Sequence, residues 1–133
     1  MIVGISHLTF IVKDLEYSAE FFKSIFDAEE IYDSGEKTFS IAREKYLSIG
    51  GLWICIMEGE PLAEPTYNHI AFRIADEEFE LYEARIKGLG VEIRPSRPRV
   101  EGEGRSLYFY DYDNHLFELH TGSLSERLAA YTL

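Results

Sequence analysis

Residues 67–74, Tyr67-Asn68-His69-Ile70-Ala71-Phe72-Arg73-Ile74, have a counterpart near the N-terminus in His7-Leu8-Thr9-Phe10-Ile11-Val12. Both stretches read His-aliphatic-small-Phe-x-aliphatic, and their histidines are 62 residues apart, just under half of the 133-residue chain. A repeat of this period indicates two copies of one supersecondary unit. Each copy would bring one imidazole to a shared site.

The apolar pattern predicts the same order of elements in both halves: a strand, a helix that begins after an aspartate, and further strands. The predicted strands are 5–12, 29–32, 37–42, 46–49, 52–57, 67–74, 91–94, 106–111 and 115–120. The predicted helices follow Asp14 and Asp76, and a third spans 124–131. We therefore expect one α+β domain over residues 1–133, with βαβββ modules at about 1–58 and 67–122, a C-terminal helix at 123–133, and two curved sheets that enclose a cup.

The acidic composition excludes several classes of protein. The net charge is −11, whereas a nucleic-acid partner requires a basic stripe. No apolar run approaches the length of a membrane span, and the N-terminus lacks the pattern of a signal peptide. The single cysteine, Cys55, fits a reducing compartment and excludes a disulfide framework. We expect a cytoplasmic protein that binds neither nucleic acid nor membrane.

A carboxylate in the last strand indicates a metal site. Glu118 stands within Leu-Phe-Glu-Leu and shares a strand face with Leu116 and His120, where a sheet facing a core would not tolerate an unpaired charge. Together with His7 and His69 it makes a set of two histidines and one carboxylate. Such a set suits a divalent first-row metal with open coordination positions.

The repeat offset aligns Glu118 with the apolar Ile56, so the first half would have lost its carboxylate and the metal would keep three protein ligands. Taken singly, a strand histidine is more often a core or surface group than a ligand, and Glu118 could pair with a nearby arginine. The other histidines are weaker candidates. His115 has the opposite strand parity, and His120 at the strand end would contact solvent or a dimer partner.

A basic loop precedes the last two strands and contains Arg94, Arg97, Arg99 and Arg105 among prolines and glycines. It is either a solvated loop whose charges pair with Glu101 and Glu103, or a cradle for an anion. Guanidinium groups suit a phosphate or phosphonate, and glycines let backbone amides approach it. Ser106 and Tyr108 follow on one strand face and could add hydroxyl donors.

These motifs resemble the vicinal oxygen chelate superfamily, and essentially end to end they are similar to FosX-type fosfomycin resistance proteins, which are fosfomycin epoxide hydrolases. The stretches that carry the resemblance are 5–15, 51–59, 67–72, 97–106, 108–111 and 113–120. The resemblance implies the glyoxalase-like cupped mixed sheet, hydrolysis that depends on Mn²⁺ or another divalent first-row metal, and a small phosphonate epoxide as substrate. It also implies a strand-exchanged homodimer, with His7 from one subunit and His69 and Glu118 from the other.

The resemblance further assigns roles to residues that their spacing alone would not. It implies that Glu44 is the general base, although in Arg43-Glu44-Lys45 this residue reads as an exposed turn charge. Trp53 would be a pocket wall, although strand parity places it opposite to Ile56, so a bulge would be required. The remaining substrate contacts are Thr9, Tyr67, Ser106, Tyr108 and Arg127, with Arg99 from the basic loop.

Three other functions fit parts of the pattern. A thiol transferase would open the same epoxide with glutathione or another small thiol, and would be indifferent to loss of Glu44. A drug-binding protein would sequester the antibiotic without turnover, but this needs no open metal site. A housekeeping epoxide hydrolase or isomerase would act on fosfomycin only incidentally.

Overall fold

Two sheets and three α-helices make up residues 1–132, the part of the chain that the structure, a computed structural model, describes. These residues divide into two compact units. The first is Met1–Glu64 with Tyr112–Asn114, and the second is Pro65–Asp111 with the segment from His115 onward. Residue 133, the last of the predicted C-terminal segment 123–133, lies outside the described residues.

The first unit contains β1 (His7–Val12), α1 (Leu15–Phe26), β2 (Glu29–Asp33), β3 (Glu44–Ile49) and β4 (Leu52–Glu58). Its strands are ordered β1-β4-β3-β2, with β1 parallel to β4 and the other neighbours antiparallel. Helix α1 begins as predicted, because the Asp14 carboxylate accepts a hydrogen bond from the Tyr17 amide at 3.0 Å. The core consists of apolar side chains that include Phe10, Val12, Leu15, Phe22, Ile25, Leu47, Ile54 and Ile56.

The segment before β3 differs from the prediction. The expected strand at 37–42 does not form, and Glu44 begins β3 instead of lying in a turn. The Glu44 amide donates to the Ser34 hydroxyl at 2.9 Å, and the Ser34 amide donates to the Glu44 carbonyl at 3.0 Å. Lys45 is tolerated inside the strand because its ammonium lies 3.0 Å from Glu30 and 3.1 Å from Asp33. Contacts across the sheet therefore outweigh the local run of charges.

The second unit contains β5 (His69–Arg73), a 3₁₀ turn (Asp76–Glu78), α2 (Phe79–Gly88), β6 (Ser106–Tyr110), β7 (Leu116–His120) and α3 (Leu124–Tyr131). Its strands are ordered β5-β7-β6, with β5 parallel and β6 antiparallel to β7. Helix α3 has the predicted bounds, and a capping box between Ser123 and Glu126 fixes its start. Nowhere in residues 1–132 is a helix long and apolar enough to cross a membrane.

Two predicted features of the second unit are wrong. The strand at 91–94 is reduced to a single bridge, in which the Arg94 amide donates to the Tyr108 carbonyl at 2.7 Å. Asp76 does not cap α2, which begins three residues later at Phe79. The Arg105 guanidinium lies 3.0 Å from the Asp76 carboxylate, so that side chain is engaged elsewhere.

Candidate active site

Polar side chains collect on one face of the sheet in the second unit. Glu118, in the central strand β7, lies opposite Ala71 of β5 and Tyr108 of β6. Since side chains alternate along a strand, this face carries His69, Ala71, Ser106, Tyr108, Tyr110, Leu116, Glu118 and His120. Four of the predicted site residues, His69, Ser106, Tyr108 and Glu118, are therefore brought to one surface.

His69 and Glu118 point acceptor atoms at each other. The Nδ1 atom of His69 lies 2.7 Å from the Tyr67 carbonyl oxygen, and because a carbonyl only accepts, Nδ1 carries the proton. The free lone pair of the neutral ring is then on Nε2, which lies 3.1 Å from Oε1 of Glu118. Two acceptors at this distance require a positive charge between them or on the ring.

Glu118 is buried, and its second oxygen is held by neighbours. The Ser106 hydroxyl donates to Oε2 of Glu118 at 2.5 Å, which leaves Oε1 for another partner. His120 supports this arrangement, since its Nδ1 lies 2.7 Å from the Ser106 hydroxyl oxygen. The expectation that His120 contacts solvent is wrong, because the ring is buried beside Gly104 and Gly122, and burial lowers its pKa.

Tyr108 connects the carboxylate to the basic loop. Its hydroxyl accepts a hydrogen bond from Nη2 of Arg99 at 3.1 Å, and the same nitrogen lies 3.7 Å from Glu118. Burial and a hydrogen bond with Tyr67 raise the pKa of Tyr108 to about 12, so the phenol stays protonated at neutral pH. The Tyr67 and Tyr108 rings also pack around His69, with centroids 4.9 and 5.6 Å from it.

Three arginines converge on the buried carboxylate of Glu103. Arg97 forms an ion pair with it, Nη1 of Arg99 lies 3.4 Å from Oε1, and Nε of Arg127 lies 3.6 Å from the same oxygen. Arg99 and Arg127, both predicted to contact substrate, therefore share one anchor. Of these two, Arg99 also reaches the face that carries Glu118.

The other two arginines of the predicted cradle are directed elsewhere. Arg105 lies 3.0 Å from Asp76 and 3.2 Å from Glu80, so it joins β6 to the start of α2. Arg94 pairs with Glu92 at 3.2 Å. These acids are not the Glu101 and Glu103 expected for a solvated loop. The expected pairing with Glu103 is instead made by Arg97 and Arg99, and Arg105 is wrong as a member of the cradle.

A cavity of about 190 Å³ adjoins the His69 side of this face. It is lined by Tyr67, Arg94, Pro95, Tyr108, Tyr110 and Leu116. Three tyrosines make the cavity largely aromatic, and its one arginine, Arg94, is already paired with Glu92.

In the first unit, His7 stacks on Trp53. Their ring centroids are 4.2 Å apart, and the two residues are opposite each other in the parallel pairing of β1 with β4. The exposed His7 ring has its Nδ1 atom 3.0 Å from the Ser6 hydroxyl. Among the atoms that the structure describes, the buried indole nitrogen of Trp53 has no hydrogen-bond partner.

The strand register corrects the alignment of the two halves. The residue two positions after the first histidine lies opposite Cys55, and the residue two positions after the second lies opposite Glu118. Cys55, and not Ile56, therefore holds the position equivalent to Glu118. Trp53 shares the face of Cys55 without a bulge, since β4 pairs with both neighbours in continuous register.

Glu44 lies on the same sheet face of the first unit as Tyr46 and Cys55. The residue is 5% exposed, which contradicts the interpretation as an exposed turn charge, and within residues 1–132 the buried Oε2 atom has no hydrogen-bond partner. A hydrogen bond with Glu44 raises the pKa of Tyr46 to about 12. Burial, then the Glu44 charge, raise the pKa of Cys55 to about 11, opposed by a hydrogen bond with Thr9.

The His69–Glu118 pair fits two positions of a metal such as Mn²⁺, with a neutral imidazole nitrogen and a carboxylate oxygen as ligands. The 3.1 Å between Nε2 and Oε1 is short enough for one ion to contact both atoms. The second oxygen and second ring nitrogen are both held by hydrogen bonds, as is usual around metal ligands. No third His, Cys, Asp or Glu joins a metal-binding group anywhere in residues 1–132; His7 belongs to the first unit.

Three features near these sites were not predicted: the burial of Glu103, the position of Tyr46 beside Glu44, and the supporting role of His120. Glu103 is flanked by glycines in a loop, where a carboxylate is ordinarily solvated, and only the gathered arginines reveal its burial. Tyr46 offered one usable signal, because it follows Glu44 by two residues and therefore shares its strand face.

Residues 4–119 match the family described as Glyoxalase/Bleomycin resistance protein/Dioxygenase superfamily. The chain is 66% identical to the fosfomycin resistance protein FosX of Listeria monocytogenes, over 98% of each chain, and 59% identical to that of Mesorhizobium japonicum, over 97% of this chain and 93% of that one. A mutant of Listeria monocytogenes FosX, solved with Mn(II) and 1S,2S-dihydroxypropylphosphonic acid, has 61% identity and a TM-score of 0.90 over 98% of this chain and 99% of that one.

Proposed function

This chain belongs to the glyoxalase/bleomycin resistance protein/dioxygenase superfamily, and from that premise we propose that it is a Mn²⁺-dependent hydrolase of fosfomycin. The high identity to FosX proteins over the whole chain supports hydration of the epoxide. The product is a diol that no longer carries the reactive ring, and loss of that ring gives resistance to the antibiotic.

The observation that carries this proposal is the pairing of His69 with Glu118. Tyr67 fixes the imidazole tautomer and Ser106 fixes the carboxylate, so both residues present a lone pair to one point. In our proposal, His7 completes the ligand set from the partner subunit of a homodimer. When bound, Mn²⁺ supplies Lewis acidity for the opening of the epoxide ring.

Arginine and hydroxyl groups bind and orient the substrate in this proposal. Arg99, which reaches both Tyr108 and Glu118, is placed to hold the phosphonate beside the metal ligands. Arg127 and Thr9 are its proposed partners in binding, Ser106 contributes by holding Glu118, and Tyr67 and Trp53 are walls of the pocket. Guanidinium groups and protonated phenols both donate hydrogen bonds to phosphonate oxygens. Neither group has to gain or lose a proton to bind the anion.

Glu44 is the proposed general base. It takes a proton from a water molecule whose oxygen forms a bond to an epoxide carbon, while the ring carbon–oxygen bond breaks. The ring oxygen then takes up a proton from solvent, and Glu44 releases its proton to solvent, which restores the carboxylate. The Tyr46 phenol, whose pKa is raised by its hydrogen bond with Glu44, stays protonated and orients the carboxylate. The unpartnered Oε2 of Glu44 is available to accept the proton of water.

Isotope labelling tests the reaction itself. The protein is incubated with Mn²⁺ and fosfomycin in water enriched in ¹⁸O, and the product is analysed by mass spectrometry. We expect a diol that carries one ¹⁸O atom. A product without ¹⁸O, or no product from protein that has bound Mn²⁺, would contradict the proposal.

Subunit complementation tests the proposed homodimer. His7→Ala and His69→Ala proteins, each expected to be inactive alone, are mixed under conditions that exchange subunits. A heterodimer would hold one site with both ligands intact, so random pairing should restore about one quarter of wild-type activity. No recovery in a mixture that contains heterodimers would contradict a site shared between two subunits.

The proposal treats residues 1–133 as one functional domain that acts in the cytoplasm on a small-molecule substrate. The buried, unpaired Cys55 supports a reducing compartment, and the acidic net charge disfavours nucleic acid and anionic membranes as partners. Fractionation of cells that express the untagged chain, followed by immunodetection, tests the location.

A further inference from the structure

The carboxylate of Glu103 is fully buried and makes more contacts than any single ion pair requires. In addition to the three arginines, it accepts hydrogen bonds from the Val100 amide at 2.9 Å and from the Tyr131 hydroxyl at 2.8 Å. Its partners therefore come from the basic loop and from α3. A buried carboxylate with this many donors is rigidly held.

The backbone around Glu103 is also fixed. Gly104 has φ of 96°, a conformation that favours glycine. A Cβ atom at Gly122 would lie 2.5 Å from the Glu103 carbonyl oxygen, and one at Gly104 would lie 2.8 Å from the Gly122 amide nitrogen. The loop is thus in close contact with the segment between β7 and α3, and Glu103 cannot shift without displacing it.

The arginines of this cluster outnumber the carboxylates that face them. The ion pair with Arg97, then the Val100 amide, hold the pKa of Glu103 well below its usual range, so the carboxylate is ionised at neutral pH. This carboxylate and that of Glu118, which lies 3.7 Å from Arg99, then face the three guanidinium groups of Arg97, Arg99 and Arg127. The surplus is positive, which leaves the arginines able to bind a further anion.

Arg99 links this cluster to the face that carries the proposed metal ligands. Its Nη1 atom is 3.4 Å from Glu103, and its Nη2 atom is 3.1 Å from the Tyr108 hydroxyl and 3.7 Å from Glu118. The Nε atom also donates to the Ser96 hydroxyl at 3.3 Å, so the planar guanidinium is held at all three nitrogens. Glu103 holds the Nη1 atom and so orients the guanidinium. The N–H groups of Nη2 are therefore directed toward the sheet face that carries Glu118.

We propose that Glu103 is a positioning residue, which orients Arg99 and Arg127 so that their guanidinium groups bind the phosphonate of the substrate. Glu103 touches neither substrate nor metal in this account. The inference rests on the proposed function, since it assumes that a phosphonate binds beside Glu118. We therefore expect the neutral variant Glu103→Gln to bind the phosphonate less tightly, although its metal ligands are intact.

The test compares Glu103→Gln with Glu101→Gln, which removes an exposed carboxylate from the same loop. For each protein we would measure KM and kcat for fosfomycin, and the Kd values for Mn²⁺ and for the 1,2-dihydroxypropylphosphonate product. Glu103→Gln should raise KM and the product Kd at least about tenfold, because charge-assisted hydrogen bonds to the arginines are lost. Its Kd for Mn²⁺ should stay within about twofold of wild type, and Glu101→Gln should resemble wild type throughout.

A split between anion binding and metal binding distinguishes positioning from general support of the fold. Equal losses of Mn²⁺ affinity and product affinity in Glu103→Gln, or an unchanged product Kd, would overturn the inference. If Glu103→Gln does not fold, Tyr131→Phe removes one donor to the same carboxylate and should raise the product Kd in the same direction; an unchanged Kd would also overturn it. If wild type binds the product but does not turn over fosfomycin, the proposed function fails, while the product Kd values still test Glu103.

Discussion

The Nε2 atom of His69 and the Oε1 atom of Glu118 lie 3.1 Å apart, on parallel neighbouring strands. The other polar atom of each side chain forms a hydrogen bond: Oε2 of Glu118 accepts one from Ser106, and Nδ1 of His69 donates one to the Tyr67 carbonyl. Nε2 and Oε1 are therefore left for another partner. The pair is therefore oriented in advance for a common partner, and a cation is the partner that both lone pairs favour.

Loss of either residue should abolish Mn²⁺ binding. We expect His69→Ala and Glu118→Ala to weaken it by more than the roughly 10- to 100-fold that outer-shell partners of a metal contribute. Titration of Mn²⁺ followed by electron paramagnetic resonance measures the free ion directly. His115→Gln is the matched control, because His115 pairs with Asp111 at 2.8 Å and has the opposite strand parity. Full Mn²⁺ occupancy in His69→Ala or Glu118→Ala would contradict the assignment.

Glu44→Gln should lose hydration and keep ligand binding. General bases typically contribute roughly 10²- to 10⁴-fold to a rate, so kcat should fall within that range while the Kd values for Mn²⁺ and the diol product remain close to wild type. Glu58→Gln changes an exposed carboxylate at the end of the adjacent strand β4 and should leave kcat unchanged. An unaltered kcat in Glu44→Gln would remove this residue from the chemistry and favour a thiol as the nucleophile.

The Cys55 thiol should be unreactive near neutral pH. Burial and the Glu44 charge raise its pKa to about 11, and alkylating reagents react with the thiolate. We expect iodoacetamide to modify the native protein at pH 8 far more slowly than the protein unfolded in urea, as measured by intact mass. Rapid modification of the native protein would show that the thiol is exposed or ionised.

The raised pKa of Cys55 also sets the sign of its effect on stability. The folded state disfavours the thiolate, so the contribution is fully present below the pKa of the unfolded thiol, about 8.5. It is lost as pH rises toward the folded value of about 11. Cys55→Ser should reduce this alkaline loss in urea unfolding experiments, because a serine hydroxyl does not ionise in that range.

The sequence predicted those features that depend on short-range patterns. Alternation along β1 and β7 separates His7 and Glu118 from the core side chains of their strands, and Asp14 and Ser123 mark helix starts through their own hydrogen bonds. The repeat of His7 at His69 indicated two related units. These patterns are local, so they survive in the sequence whatever the tertiary contacts are.

Features that depend on distant partners could not be predicted from such patterns. Glu44 stands between two cationic residues and resembles a turn, yet pairing with Ser34 draws it into a strand and buries it. Glu103 lies between glycines and becomes a buried anchor only because the arginines of one loop and Arg127 of α3 meet it. Offsets counted along the chain likewise misplaced the equivalent of Glu118 by one residue, at Ile56 instead of Cys55.

The central claim is that water, and not a thiol, opens the epoxide. The direct test is phosphorus NMR of fosfomycin incubated with the purified protein and Mn²⁺, in parallel samples with and without a small thiol such as glutathione. Our account predicts that the diol forms at the same rate in both samples. Product that appears only when the thiol is present would contradict it and assign the protein to thiol transfer.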